Sequence, residues 1–336
     1  METILLKAVP ENIGKAADLL KKGEIVAVPT ETVYGLAANA FDVDAVHKIF
    51  SAKGRPQDNP LILHVGNMEM LNLITNYIPE LAYRLAEEFW PGPLTMIFPR
   101  KDSVPAETCG GLDTAAVRMP DNTFTRKLID ECGFPLAAPS ANTSGLPSPT
   151  SANHVYSDMN KKIPLIIDGG ECSCGVESTV ICFENGGVRV LRPGAVTPEM
   201  LCEFAEVTID SGVLKQLSSD EKVLSPGMKY KHYSPKAQVY IIDGDKDKFA
   251  DFIAEKYKDD SKIAVLCGSG TEVYGAAKLP YGDTPSEQAE NLFSSLREAD
   301  EKGFSAVYVE MPEKTGIGLA VYNRLIRAAA FRIIKL

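Results

Sequence analysis

Lys53-Gly54-Arg55-Pro56-Gln57-Asp58-Asn59-Pro60-Leu61-Ile62-Leu63-His64-Val65 is the stretch around which the rest of the chain is organised. Upstream of it, Asp42 stands as an N-cap before Val46, Ile49 and Phe50 at helical spacing, and Gly54 is the residue expected just past a helix end. Downstream, Leu61 to Val65 is a short apolar run after a proline and reads as a buried strand. A helix that passes through a proline-stiffened loop into a buried strand is a building unit of α/β folds. It also sets Lys53 and Arg55 on a fixed loop, where two cations suit a polyanion such as a nucleotide phosphate chain. A plainer reading of the same residues is a lysine complementing the helix C-terminus and a solvated arginine.

Small polar residues recur next to other β-like runs. The run Ile25–Val28 leads into Pro29-Thr30-Glu31-Thr32-Val33-Tyr34-Gly35-Leu36, read as a hydroxyl-rich loop. Later come Pro139-Ser140-Ala141-Asn142-Thr143-Ser144-Gly145, Glu177-Ser178-Thr179-Val180 and Leu191-Arg192-Pro193-Gly194. Strand ends of this kind are where α/β folds meet their ligands. Thr30 and Thr32 either bind a ligand carboxylate or hydroxyl, or bond their own backbone as turn threonines do. Thr114–Pro120 reads as a strand carrying an inward-facing Arg118, a buried cation that needs an anionic partner from the protein or a ligand. His64 is either a ligand contact or a polar residue hydrogen-bonded within a buried strand.

With 336 residues, two domains are expected. Apolar content of 45% with 24% charge is that of an ordinary globular chain. A net charge of −10 disfavours non-specific nucleic-acid binding by the whole surface, though not a local basic cleft. One tryptophan and scattered aromatics give no stacking platform for single strands. No apolar run reaches the ~18 residues that span a bilayer, so no membrane association is expected. The start, Met1-Glu2-Thr3-Ile4-Leu5-Leu6, lacks a basic n-region, and a cytoplasmic protein is the expectation. Seven scattered cysteines argue against a disulfide framework. Cys172 and Cys174 form a CxC without a nearby histidine, read as free thiols in a mobile glycine-rich loop rather than a metal site.

Taken in order, a strand over 3–8 precedes a helix opened by Pro10 and stopped by Gly23. Helices are expected over 42–53, 67–75 and 79–89, and Pro91-Gly92-Pro93 breaks the chain before a strand over 94–98. Asp121 is the expected cap of a helix ended by Gly133. Strands near 134–139, 164–167, 178–183, 187–192 and 207–209, with a helix over 197–205, give an irregular alternation that favours a mixed sheet. Periodicity then vanishes from Asp210 to Pro235, an interdomain linker. The remainder alternates as strand 238–242, helix 246–256, strand 262–267, helix 285–300, strand 305–309 and helix 319–334. Val239, Ile241, Ile263 and Val265 mark central strands of a small parallel sheet. Thr284-Pro285-Ser286-Glu287 is a capping box with proline at N1.

Lys53 and Arg55 of the Lys-x-Arg, with Ser140 and Asn142 of the Ser-x-Asn, together with the PTETVYGL segment, resemble the YrdC/Sua5 family, the L-threonylcarbamoyladenylate synthases. The match spans roughly residues 10 to 200 and resumes in the C-terminal third, which is similar to the Sua5-specific domain. The resemblance implies an α/β fold: a YrdC-like twisted mixed sheet with helices over residues 1–209, a linker drawn over the active site as a lid over 210–235, and a smaller Rossmann-like α/β domain over 236–336. It implies that L-threonine, bicarbonate and ATP give threonylcarbamoyl-AMP and pyrophosphate. A separate transferase complex then uses that product for N6-threonylcarbamoyladenosine at position 37 of tRNA. Direct contact with tRNA is left open.

Carried over residue by residue, threonine contacts fall on Thr32, His64, Arg118, the Ala138 backbone and Ser178. Nucleotide contacts fall on Arg55, Asn59, Ser140, Asn142, Ser148, Arg192 and the linker Tyr230. Lys53 and Arg55 carry the catalytic charge at the phosphates. Mg²⁺ is expected with ATP, its protein ligands unidentified. The chain holds no GxxxxGK[ST], kinase set or HExxH, so the phosphates need a cleft other than a P-loop. Two other readings are an RNA-binding module of YrdC type and a carbamoyl-adenylate maturation factor. The latter's acylphosphatase and zinc-finger-like segments do not occur here.

Overall fold

The computed structural model describes residues 2–214 and 233–336. Contacts divide the chain into two compact units, one holding residues 2–144 and 148–214 of these, the other 145–147 and 233–336. Most of the stretch expected as linker and lid, with Tyr230, falls in 215–232, outside the described residues.

The first unit is built on strands β1 (Ile4–Lys7), β2 (Val26–Val28), β3 (Gly35–Asn39), β4 (Ile62–His64), β5 (Leu94–Pro99), β6 (Thr114–Arg118), β7 (Leu136–Ala137), β8 (Leu165–Asp168), β9 (Thr179–Glu184), β10 (Gly187–Arg192) and β11 (Val207–Ile209). Among the described residues they form one 11-stranded sheet in the order β1-β8-β2-β3-β7-β4-β6-β5-β9-β10-β11. Pairing is mixed: β4 runs parallel to β6, β6 antiparallel to β5, and β5 parallel to β9. Helices α1 (Ile13–Lys21), α2 (Val43–Lys53), α3 (Leu71–Ile74), α4 (Glu80–Phe89), α5 (Thr123–Cys132), α6 (Ala152–Met159) and α7 (Pro198–Leu201) intervene. α1 packs on α5 through an apolar stripe, burying Ala16, Ala17 and Leu20.

α2 follows its sequence signals. The Asp42 side chain accepts from the Ala45 N–H, and Gly54 ends the helix at φ 63°, a left-handed cap that suits glycine. Other elements differ from expectation. The helix expected over 67–75 is a single turn, Leu71–Ile74, preceded by a turn in which the Asn67 side chain accepts from the Met70 N–H. α5 is capped by Asn122, which accepts from Thr125, rather than by Asp121. The segment read as loop from Gly35 is strand β3, buried between β2 and β7. The CxC loop is tied down: Cys172 N–H donates to Thr150 O and Cys174 N–H to Glu31 O.

The second unit carries β12 (Gln238–Asp243), β13 (Ile263–Leu266), β14 (Ala277–Lys278), β15 (Ala306–Glu310) and β16 (Ile333–Lys335) with α8 (Lys246–Asp259), α9 (Pro285–Glu301) and α10 (Gly318–Ala328). All pairings in its five-stranded sheet, order β14-β13-β15-β12-β16, are parallel. The capping box at Thr284 is formed in both directions. The helix expected to run to residue 334 stops at Ala328. Ala330 and Phe331 then take positive φ, and β16 joins β12 as an edge strand.

Candidate active site

Register brings the polar residues of the first unit to one edge of its sheet. His64 ends β4 and lies opposite Arg118, which ends β6. β5 starts beside the end of β6 (Met96 opposite Val117), and β9 starts beside β5 (Thr179 opposite Leu94), so Thr95 and Ser178 reach the same edge. Arg192 ends β10 opposite Val180. Gly194 permits the close approach: a Cβ there would lie 2.4 Å from the Thr179 nitrogen and 2.7 Å from the Ser178 carbonyl carbon.

Arg118 is 3% exposed. Its Nε donates to Gly92 O and its Nη1 to Thr32 Oγ1 at 2.8 Å. Nη2 stands 2.6 Å from Glu31 Oε1 in a buried ion pair. The N–H is not aimed along that contact, however, and Nη2 and both Glu31 oxygens are left without a hydrogen bond. Glu31 is the anionic partner that the sequence required for Arg118 without identifying it. A buried guanidinium with donor capacity to spare is prepared for a second carboxylate.

His64 is buried, and its Nδ1 lies 3.3 Å from Ile62 O. Burial first, and the Arg118 charge second, pull its pKa down to about 3, so the imidazole is neutral. The unfolded histidine protonates near 6.5 and the folded one only near about 3. Between those values the unfolded chain binds the extra proton. Stability therefore falls as pH drops through that window, by ~1.4 kcal/mol per pH unit. In urea melts from pH 6.5 down to about 5, His64→Gln should show a slope shallower by about that amount. Equal slopes would mean a charged imidazole in the fold.

Ser178 Oγ lies 2.8 Å from Thr95 Oγ1, and Arg192 donates to Ser178 twice, Nε to O and Nη2 to Oγ. A residue expected at the amino acid is thus bonded to one expected at the nucleotide. Ala138 is buried next to β7, its N–H donating to Ile62 O.

The cations of the opening stretch hold their own surroundings. Lys53 is 2% exposed; its Nζ donates to Asn142 O at 2.6 Å, to Ser140 O and, at 3.4 Å, to Asn142 Oδ1. Ser140 Oγ donates to Asn142 Oδ1 at 2.5 Å, so the Lys-x-Arg and Ser-x-Asn segments form one locked pair of loops. Arg55 donates from Nε to Asn59 O and from Nη2 to Pro60 O. Asn59 is buried with its Oδ1 lacking a hydrogen bond, an acceptor ready for a ligand donor. Ser148 donates to Glu177 Oε1 at 2.6 Å, a buried pairing that sequence reasoning did not foresee.

Cys172 and Cys174 are free thiols beside this edge. Burial pushes the Cys174 thiol up to about 11 and Cys172 higher still, which keeps both protonated and unreactive. No helix of the described residues is long and apolar enough to cross a membrane.

A family model for Sua5, YciO and YrdC proteins, described as "Telomere recombination", matches residues 18–194. A second, described as "Threonylcarbamoyl-AMP synthase, C-terminal domain", matches 196–330. The threonylcarbamoyl-AMP synthase of Pyrococcus abyssi (strain GE5 / Orsay) is 48% identical over 325 residues, covering 95% of this chain and 94% of the relative. The Bacillus subtilis (strain 168) protein of that name is 42% identical over 331 residues, 96% of this chain and 94% of its own. The crystal structure of P. abyssi Sua5 complexed with L-threonine superposes with a TM-score of 0.94 at 45% identity over 100% of both chains.

Proposed function

Because this chain belongs to the Sua5/YciO/YrdC family, we propose that it is a nucleotidyltransferase making threonylcarbamoyl-AMP and pyrophosphate from L-threonine, bicarbonate and ATP. The observation that carries the reading is the buried Arg118, with one guanidinium nitrogen lacking a hydrogen bond, beside the Thr32 hydroxyl and a neutral His64. Arg118 takes the threonine carboxylate, while Thr32, His64, Ala138 O and Ser178 surround the rest of the amino acid. Threonine's ammonium and bicarbonate condense to N-carboxy-threonine with loss of water and a proton. A carbamate oxygen then attacks the α-phosphorus of ATP, the bond to the β-phosphate oxygen breaks, and pyrophosphate leaves. Two anions meet in this step, so the protein's contribution is positioning and charge neutralisation by Lys53, Arg55 and Arg192, with Asn59, Ser140, Asn142 and Ser148 lining the nucleotide side.

Mg²⁺ is proposed to arrive on the ATP phosphates, which it neutralises. Among the described residues no group of three or more His, Cys, Asp or Glu is placed to hold a metal. The product is proposed to supply a separate transferase that modifies adenosine 37 of tRNA in the cytoplasm.

Pyrophosphate release should require ATP, threonine and bicarbonate together. Serine should be slower by roughly 10–200-fold, the worth of one methyl in a fitted pocket. Equal release without any amino acid would sink this reading.

A further inference from the structure

The parallel sheet of the second unit has a switch point of its own. After β13 the chain steps outward to β14, whereas after β15 it crosses to β16 on the far side of β12. β13 and β15 are therefore neighbours whose connections part in opposite directions, and open α/β sheets form their ligand crevice outside the carboxyl ends of such a pair. A cavity of about 160 Å³ lies beside the end of β15, and its lining includes Tyr281, Asp283, Gln288, Glu310, Pro312 and Glu313. Two polar atoms of that lining are unspent. Tyr281 is 3% exposed and its hydroxyl has no hydrogen bond among the described residues; nor has the buried Gln288 Oε1. Buried polar groups are normally paired, so both call for a partner that the chain does not supply. Burial first, then the Glu310 charge, raise the Tyr281 pKa, which keeps the phenol neutral.

The charge of the lining decides what that partner is. In dinucleotide folds a glycine loop after a strand holds phosphate with its N–H groups. Here the loop after β13 spends those donors on carboxylates: Gly268 N–H donates to Glu310 Oε2 and Ser269 N–H to Asp283 Oδ1. No Lys, Arg or His lines the cavity, and Lys278 Nζ donates to Gly268 O and Thr271 O rather than to these carboxylates. An anion is excluded and a cation rich in N–H donors is favoured. We infer that this crevice binds a small organic cation, a primary ammonium or guanidinium compound, through residues outside those that the proposed reaction uses. Glu310 supplies the charge, Gln288 Oε1 and the Tyr281 hydroxyl accept N–H groups, and Pro312 walls the alkyl part.

The probes are butane-1,4-diamine and agmatine, titrated by calorimetry into the full-length protein. One of them should bind saturably, one to one, with a Kd of about 1 mM or tighter. Butanedioate, of the same length as the diamine and opposite charge, should not bind. Glu310→Gln keeps an acceptor for the Gly268 N–H and should weaken the bound cation about tenfold, the worth of one charge-assisted hydrogen bond. Gln288→Leu, which leaves the carboxylates in place, stands in for it if that variant does not fold, with a loss of about threefold. Tyr281→Phe should also weaken binding about threefold, yet leave the ligand-free melting midpoint unchanged, because it removes no hydrogen bond. Asp251→Asn, an exposed carboxylate on α8, should change nothing. Absence of binding by both probes would overturn the inference and leave water as the occupant. Equal losses in Glu310→Gln and Asp251→Asn would overturn it in favour of a merely acidic surface. A Tyr281→Phe protein that melts lower and binds as wild type would overturn it as well.

Discussion

Lys53→Ala is expected to lower the rate of adenylate formation by roughly 10²–10³-fold at saturating ATP, the loss associated with one preorganised charge contact. It should also lower stability, by about 1–3 kcal/mol for each buried acceptor left unmet. The reason is local. The ammonium braces Ser140 O, Asn142 O and, more weakly, Asn142 Oδ1, which also accepts from Ser140 Oγ. Sequence alone offers Lys53 as a phosphate contact or as a complement to the helix C-terminus. Its burial makes it a strut of the Ser140–Asn142 loop as well. Arg55→Ala supplies the contrast. Arg55 is only part-buried and bonds carbonyls of its own loop, so a similar rate loss should come with little change in stability. Turnover assays paired with urea melts separate the two effects. A Lys53→Ala enzyme with wild-type turnover would make the loop purely structural.

The second large effect concerns the buried pair Arg118–Glu31. Glu31→Ala should destabilise the first unit by about 3–5 kcal/mol, because the guanidinium keeps its burial and loses its carboxylate. Arg118→Ala should cost a comparable amount and abolish threonine binding besides. The double variant should be more stable than the sum of the two singles predicts, since no uncompensated charge remains. Threonine should raise the denaturation midpoint of Glu31→Ala more than that of wild type, its carboxylate taking the vacated place beside Arg118. Denaturant melts with and without 10–100 Kd of threonine check this, on the scale of about 1–3 kcal/mol of linkage. A Glu31→Ala midpoint equal to wild type would mean that the pair holds nothing in place.

Local signals in the sequence determined what depends on short-range periodicity and capping. The Asp42 cap and Gly54 stop bound α2 as read, the Thr284 box opens α9, and Pro91-Gly92-Pro93 separates α4 from β5, because each is settled within a few residues by backbone geometry. The need of Arg118 for an anion was legible too, since a charge on a buried strand cannot stand alone. Strand partners were not. Gly35–Asn39 becomes β3 only because β2 and β7 lie on either side of it, and Ile333–Lys335 leaves α10 because the edge of β12 is open to it. The partners that give the site its chemistry are similarly remote: Glu31 on Arg118, Asn142 on Lys53, Glu177 on Ser148, and Thr95 on Ser178, 83 residues apart in the chain. Their side chains carry no sequence signal of that pairing. Which hydroxyl or carboxylate meets which cation is fixed by the order and register of 11 strands, a property of the whole sheet that no single stretch contains.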